Sequence, residues 1–157
     1  MLAIQKKNVK AGKLVNTKHV DTVIKNYKQE RWVHNSKRLG KEDSLSVWYS
    51  LEELQQFIEL SKANGADGIK VCFGAYDKDH VEEPYAGRQT IVFVATKQKQ
   101  TPRGEGNKDI YINTKEGNSI LAFNAGRPCP PLCIVTDDPN GVGITIIDKG
   151  DEGIVIV

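Results

Sequence analysis

Two short segments of this chain hold residue types that can do chemistry. The first is Cys129-Pro130-Pro131-Leu132-Cys133. Two thiols in one loop can bind a metal as thiolates, cycle as a redox pair, or form a bridge. The spacing is not that of a Cys-x-x-Cys redox motif or zinc knuckle, and the only other cysteine is the isolated Cys72. With Pro130-Pro131 in a polyproline II conformation, the two Cα atoms stand ~12 Å apart at ~3.1 Å per residue. A disulfide spans at most ~7 Å, so the sulfurs meet only if the segment turns, as a cis proline would make it do. The expectation is therefore a rigid loop with two small buried thiols. A disulfide and a metal half-site at Cys129 and Cys133 stand as alternatives.

The second segment runs from residue 76 to residue 88. It contains Asp77, Asp79, His80, Glu82, Glu83 and Arg88, bracketed by Tyr76 and Tyr85. Closely spaced carboxylates can gather a cation, yet the order lacks the glycine and the ligand spacing of a calcium loop. A solvated hairpin tip is the plain reading. Tyrosine and arginine are favoured at interfaces, and long loops are where binding concentrates, so these eight residues form the candidate binding site. His19 and His34 stand alone, as Cys72 does within an alternating apolar run. No nucleophile elbow, phosphate loop, dinucleotide fingerprint or zinc-protease motif is present, and Gly104-Glu105-Gly106 has no helix signal behind it. No catalytic residue and no cofactor is expected.

The elements that must position these residues are legible in the periodicity. Val20, Val23, Ile24 and Tyr27 follow the stripe of an amphipathic helix over about residues 17–31, capped by Asn16 or Thr17, with loops at Asn35-Ser36 and Leu39-Gly40. Ser50-Leu51-Glu52-Glu53 is a capping box that opens a helix over 51–63. Its expected buried stripe is Leu51, Leu54, Phe57, Ile58 and Ser61, and Asn64-Gly65 stops it. Val47-Trp48-Tyr49 enters that helix as an extended segment. Ile69, Val71 and Phe73 alternate with polar or small residues as one face of a strand. Ile91 to Ala95 is apolar on both faces, as a central strand covered by a helix would be. The linker between them is too short for a crossover helix, so the pair is antiparallel. Residues 102–107 read as a loop, Ile110-Tyr111-Ile112 as a further strand, and residues 143–147 with 153–157 as a C-terminal hairpin. Helices first and strands afterwards give an α+β fold: two N-terminal helices packed on a mainly antiparallel β-sheet, with a C-terminal β-hairpin. Residues 1–157 read as one domain, with 1–16 a basic tail or short edge strand.

In this order, the stretches Asn26-Tyr27, Trp48 to Leu54, Gly68 to Tyr76, Thr90 to Val94 and Pro128 to Cys133 resemble a group of uncharacterised small proteins found mainly in Bacteroidetes bacteria. The resemblance covers roughly residues 17–133. It implies a bacterial protein with a helix-then-antiparallel-sheet arrangement, and it supplies no activity, cofactor or site residue.

Composition narrows the function classes. Charged residues make up 27% and hydrophobic ones 39% of the chain, near globular averages, which argues against disorder. No apolar run reaches the ~18 residues of a membrane helix, and the N-terminal residues lack a secretory pattern. A cytoplasmic location without membrane contact is expected. The first 41 residues carry eleven basic side chains against Asp21 and Glu30. Such asymmetry can mark a nucleic-acid binder, but these charges are scattered singly and read first as a solvated helix face. The expected function is a non-enzymatic binding or interaction module. Nucleic-acid binding through the basic N-terminal part and a metal or thiol site at Cys129/Cys133 are the alternatives. Ile154 to Val157 carries no charge or proline to blunt a sheet edge, so self-association through the C-terminal strand is expected too.

Overall fold

The computed structural model describes residues 10–133, together with the backbone strands Ile146–Asp148 and Ile154–Ile156. Residues 10–16 are exposed and have no regular structure, while Lys6 and Lys7 lie outside the described residues. Asn16 caps the first helix, accepting from the His19 amide at 3.0 Å. Helix α1 (Thr17–Tyr27) does not stop near residue 31. It passes through a π turn at Lys28–Trp32 into α2 (Val33–Leu39), which Gly40 ends in a left-handed conformation. Asn35-Ser36 is therefore helical, not a loop. No proline or glycine interrupts the chain there, and the turn serves two anchors. The Tyr27 hydroxyl donates to Gln89 Oε1 at 2.6 Å, and Trp32 Nε1 donates to the Asp43 carbonyl at 2.8 Å. Five residues along a regular α-helix are about 140° apart, whereas a π turn brings i and i+5 to nearly one side.

Helix α3 (Leu51–Ala63) follows strand β1 (Ser46–Trp48) and has the expected capping box. Glu53 N donates to Ser50 Oγ at 3.1 Å, and Ser50 N donates to Glu53 Oε2 at 2.9 Å. Those bonds hold the Glu53 carboxyl below its ordinary range, the Ser50 amide contributing most. The buried stripe is narrower than expected. Phe57 and Ser61 are buried and Leu54 is half-buried, but Leu51 and Ile58 face outward.

Strands β2 (Gly68–Ala75) and β3 (Gln89–Thr101) pair antiparallel from Gly68↔Thr96 to Ala75↔Gln89. Beyond that pairing β3 continues against β4 (Gly104–Asp109), so residues 102–107 are not a loop but a tight turn and a strand. Apolar alternation fails there because the ribbon is exposed on both faces. Strands β5 (Tyr111–Thr114) and β6 (Gly117–Ile120) form a separate hairpin. β7 (Ala122–Phe123) adds to β3, and β8 (Arg127–Cys129) pairs with β1. The C-terminal hairpin is present as β9 (Ile146–Asp148) against β10 (Ile154–Ile156). Among the described residues every pairing is antiparallel, and the fold is α+β.

The core lies between α3 and the middle of β3. Phe57, Ala95 and Leu121 are buried there against Phe93, Ile110, Ile112 and Phe123. Phe57 stacks on Phe123 with centroids 5.4 Å apart, and Tyr49 meets Phe93 edge-on at 5.2 Å. Gly126 admits the Tyr49 ring: a Cβ there would stand 2.6 Å from Val47 Cγ1 and no farther from the ring itself.

Candidate functional site

The segment 76–88 folds back on itself instead of standing out as a solvated tip. The Asp77 carbonyl accepts from the His80 and Gly87 amides at 3.2 and 2.9 Å, which closes the loop at its base. Tyr76, His80 and Tyr85 form a three-ring cluster with centroids 5.0–5.6 Å apart. Burial pushes the Tyr85 hydroxyl up from its ordinary pKa. His80 Nδ1 accepts from the Glu82 amide at 3.1 Å, a bond within the loop. The Tyr76 hydroxyl donates to Asn124 Oδ1 at 2.8 Å, and Asn124 in turn donates to Thr90 Oγ1 and the Ile91 carbonyl.

Arg88 is an interior clamp. It is 5% exposed, and its guanidinium donates to the carbonyls of Glu42 and Pro84 at 2.9 Å and of Glu83 at 3.3 Å. Glu83 instead pairs with Lys41 at 2.8 Å on the surface, which lowers its pKa. Asp77, Asp79, Glu82 and Glu83 are all exposed. Among the described residues no three His, Cys, Asp or Glu side chains come together as a metal group. Of the eight residues singled out from sequence, the structure thus gathers Tyr76, His80 and Tyr85 into one cluster. Arg88 and Glu83 serve the loop's own closure.

The two cysteines of the Pro-rich segment are joined. Cys129 and Cys133 form a disulfide with Cα atoms 4.7 Å apart, and the Cys129-Pro130 and Pro130-Pro131 bonds are both cis. The expectation of two separate thiols is corrected: the prolines turn instead of extending. In this state neither sulfur is a thiolate ligand. Behind the bridge, Pro128 is fully buried, and Leu45 N donates to the Cys129 carbonyl at 2.8 Å. His19 and His34 lie apart on the long helix, and Cys72 is half-buried on β2.

The larger feature lies elsewhere. The described residues leave open a cleft of about 340 Å³ between α1, β1 and the β2–β3 hairpin. Val23 and Ile24 form one wall, Val47 another, and Phe73 and Ile91 the sheet side. Its polar end is the Tyr27–Gln89 bond. Asp43 fixes that end, its buried carboxylate accepting from the Gln89 amide at 2.7 Å and the Ser44 amide at 2.8 Å. Burial, with the nearby Asp43 charge, raises the Tyr27 pKa. The volume is at the lower end for ligand clefts, and the lining is mainly apolar.

Phe73 borders this cleft and is 86% exposed, with Val71 at 48% on the same face of β2. The alternation predicted a strand with one apolar face, but that face is not fully covered. α3 packs over β3, and β2 is the edge strand of its sheet among the described residues. Sequence reasoning missed Asp43, Tyr27 and Gln89 as a unit, because Gln89 lies 62 positions from Tyr27 and 46 from Asp43. Comparison with known proteins returns no family model, no curated protein and no solved structure that matches this chain.

Proposed function

We propose that this chain is a non-enzymatic protein-interaction module that takes an extended apolar segment at strand β2, with side chains entering the cleft beside α1. The observation that carries this reading is Phe73, a large aromatic 86% exposed on an eight-residue edge strand at the rim of an apolar cleft. An edge strand offers unpaired amides and carbonyls, and alternate side chains of an added strand reach the groove beside it. In the 76–88 loop the four carboxylates are exposed and form no metal group among the described residues, and the arginine is committed to backbone carbonyls.

A second copy of the chain is the first partner to test, because residues 153–157 are an apolar segment of the required kind. Within one chain Ile154–Ile156 pairs with β9 and lies near α1, so the segment is tested as a free peptide. The probe is a peptide of sequence Gly-Ile-Val-Ile-Val, matching residues 153–157. In amide shift mapping, it is expected to perturb residues 69–75. Phe73→Ser should weaken binding roughly tenfold or more, the effect of losing one buried aromatic contact. Shifts confined to other surfaces, or equal binding by the variant, would defeat the proposal.

A further inference from the structure

The part of β3 that leaves the core carries a pattern of its own. Lys97-Gln98-Lys99-Gln100 alternates on a strand, so the two lysines point to one face and the two glutamines to the other. Pairing with β4 sets Lys108 directly opposite Lys97 and Gly106 opposite Lys99. Lys97 Nζ lies 3.9 Å from where a Cβ of Gly65 would stand, so the lysine face is on the α3 side. Arg103 occupies the turn. The remaining positions of that face are Thr101, Gly104 and Gly106, and a side chain at either glycine would meet nothing within 4 Å.

The opposite face carries an acidic group held by neutral donors, which leave its charge in place. Glu105 accepts from Gln98 Nε2 at 3.2 Å and Gln100 Nε2 at 2.9 Å, and the ribbon's second carboxylate, Asp109, pairs with Lys70 at 2.7 Å. None of the four basic groups is ion-paired among the described residues. Like charges directly opposite in a ribbon are unfavourable, so an anion bound across Lys97 and Lys108 would relieve their repulsion.

We propose that the basic face of the β3–β4 ribbon, made of Lys97, Lys99, Arg103 and Lys108, is a sequence-independent docking surface for double-stranded DNA. Three observations select this partner. Residues 97–108 include no aromatic side chain, which removes the base-stacking platform that single strands need. They include no large aliphatic side chain to enter a lipid interface. A two-stranded ribbon also fits the ~12 Å major groove, where lysines on one face reach phosphates and fix register without reading bases. This surface is separate from the Phe73 cleft and differs from the scattered basic residues of the N-terminal helix.

The test is fluorescence anisotropy with a labelled duplex of about 20 base pairs, from about 50 to 200 mM salt. Four phosphate contacts give a log–log slope near −3.6, roughly a 150-fold loss of affinity over that range. Replacing Lys97, Lys99 and Lys108 together by Gln should reduce the slope to about −1 and weaken binding at low salt at least tenfold. Gly106→Glu, which places a carboxylate in open space on the same face, should weaken binding with an unchanged thermal melt. The pair Lys25→Gln and Lys28→Gln on the long helix should leave slope and affinity as they were. Three outcomes would overturn the proposal: no salt-dependent binding by the parent, parent-like binding by both ribbon variants, or loss of binding in the helix pair. Tighter association with anionic phospholipid vesicles than with the duplex would overturn it as well.

Discussion

Arg88 shows how differently one residue reads in sequence and in space. In sequence it reads as an interface residue of a polar loop, yet it is buried, Glu83 Oε2 is 4.0 Å away, and the close partners are three backbone carbonyls. Two of those carbonyls belong to the 76–88 loop and the third to Glu42, so one guanidinium ties the loop to the segment that carries Asp43. Replacing Arg88 by Met would strip buried carbonyls of a charged donor, at an expected cost of about 3 kcal/mol in urea unfolding. Glu83→Gln, which removes the exposed pair with Lys41 and the 4.0 Å approach to Arg88 but no buried carbonyl bond, should leave the midpoint in place. Equal effects from the two would show that the ion pair, not the carbonyl clamp, organises the loop. Sequence alone could nominate Tyr76, His80 and Tyr85 for one neighbourhood, since they lie within ten residues. It could not reveal that Arg88 turns inward, because Glu42 lies 46 positions away.

At the scale of elements, the helix Leu51–Ala63 was legible to the residue because its capping box is a local device. Strands β2 and β3 were legible because apolar alternation marks them. β4 was not: Gly104-Glu105-Gly106-Asn107 has no apolar face, and only the Lys-Gln alternation on its partner strand hints at a ribbon. The π turn at Lys28–Trp32 left no local signal either, since its cause is the simultaneous reach of Tyr27 to Gln89 and of Trp32 to Asp43. The capping box gives a pH prediction. The folded-state pKa of Glu53 is depressed below its unfolded value, so its stabilisation is fully present above the ordinary carboxylate range. It is lost as pH falls through the folded value. The stability difference between the parent and Glu53→Gln should therefore be present at about pH 6 and shrink toward about pH 3, where the protonated acid resembles the amide. A difference that grows on acidification would reverse the sign and remove the carboxylate from the cap.

For the whole molecule, the sequence supplied the α+β order, the antiparallel β2–β3 pair and the C-terminal hairpin. It could not place the cleft, whose walls come from α1, from the residues before α3 and from the sheet. Among the described residues no helix is long and apolar enough to cross a membrane. The pairing of β1 with β8 has a further consequence, which concerns the order of assembly. β2, β3 and β4 are neighbours in sequence, so their hairpins close short loops. Ser46↔Cys129 joins positions more than eighty residues apart. Loop closure costs entropy that grows with length, and contacts at long separation are formed after local ones. The two backbone ladders should therefore differ in local stability: amides of Leu45–Trp48 should exchange with solvent well before those of Val92–Ala95. Equal protection would make the molecule a single cooperative unit. If protection does differ, Val47, which walls the cleft, arrives last in folding and leaves first in opening. The cleft would then be made and unmade by a long-range closure, while the sheet beneath it stays whole.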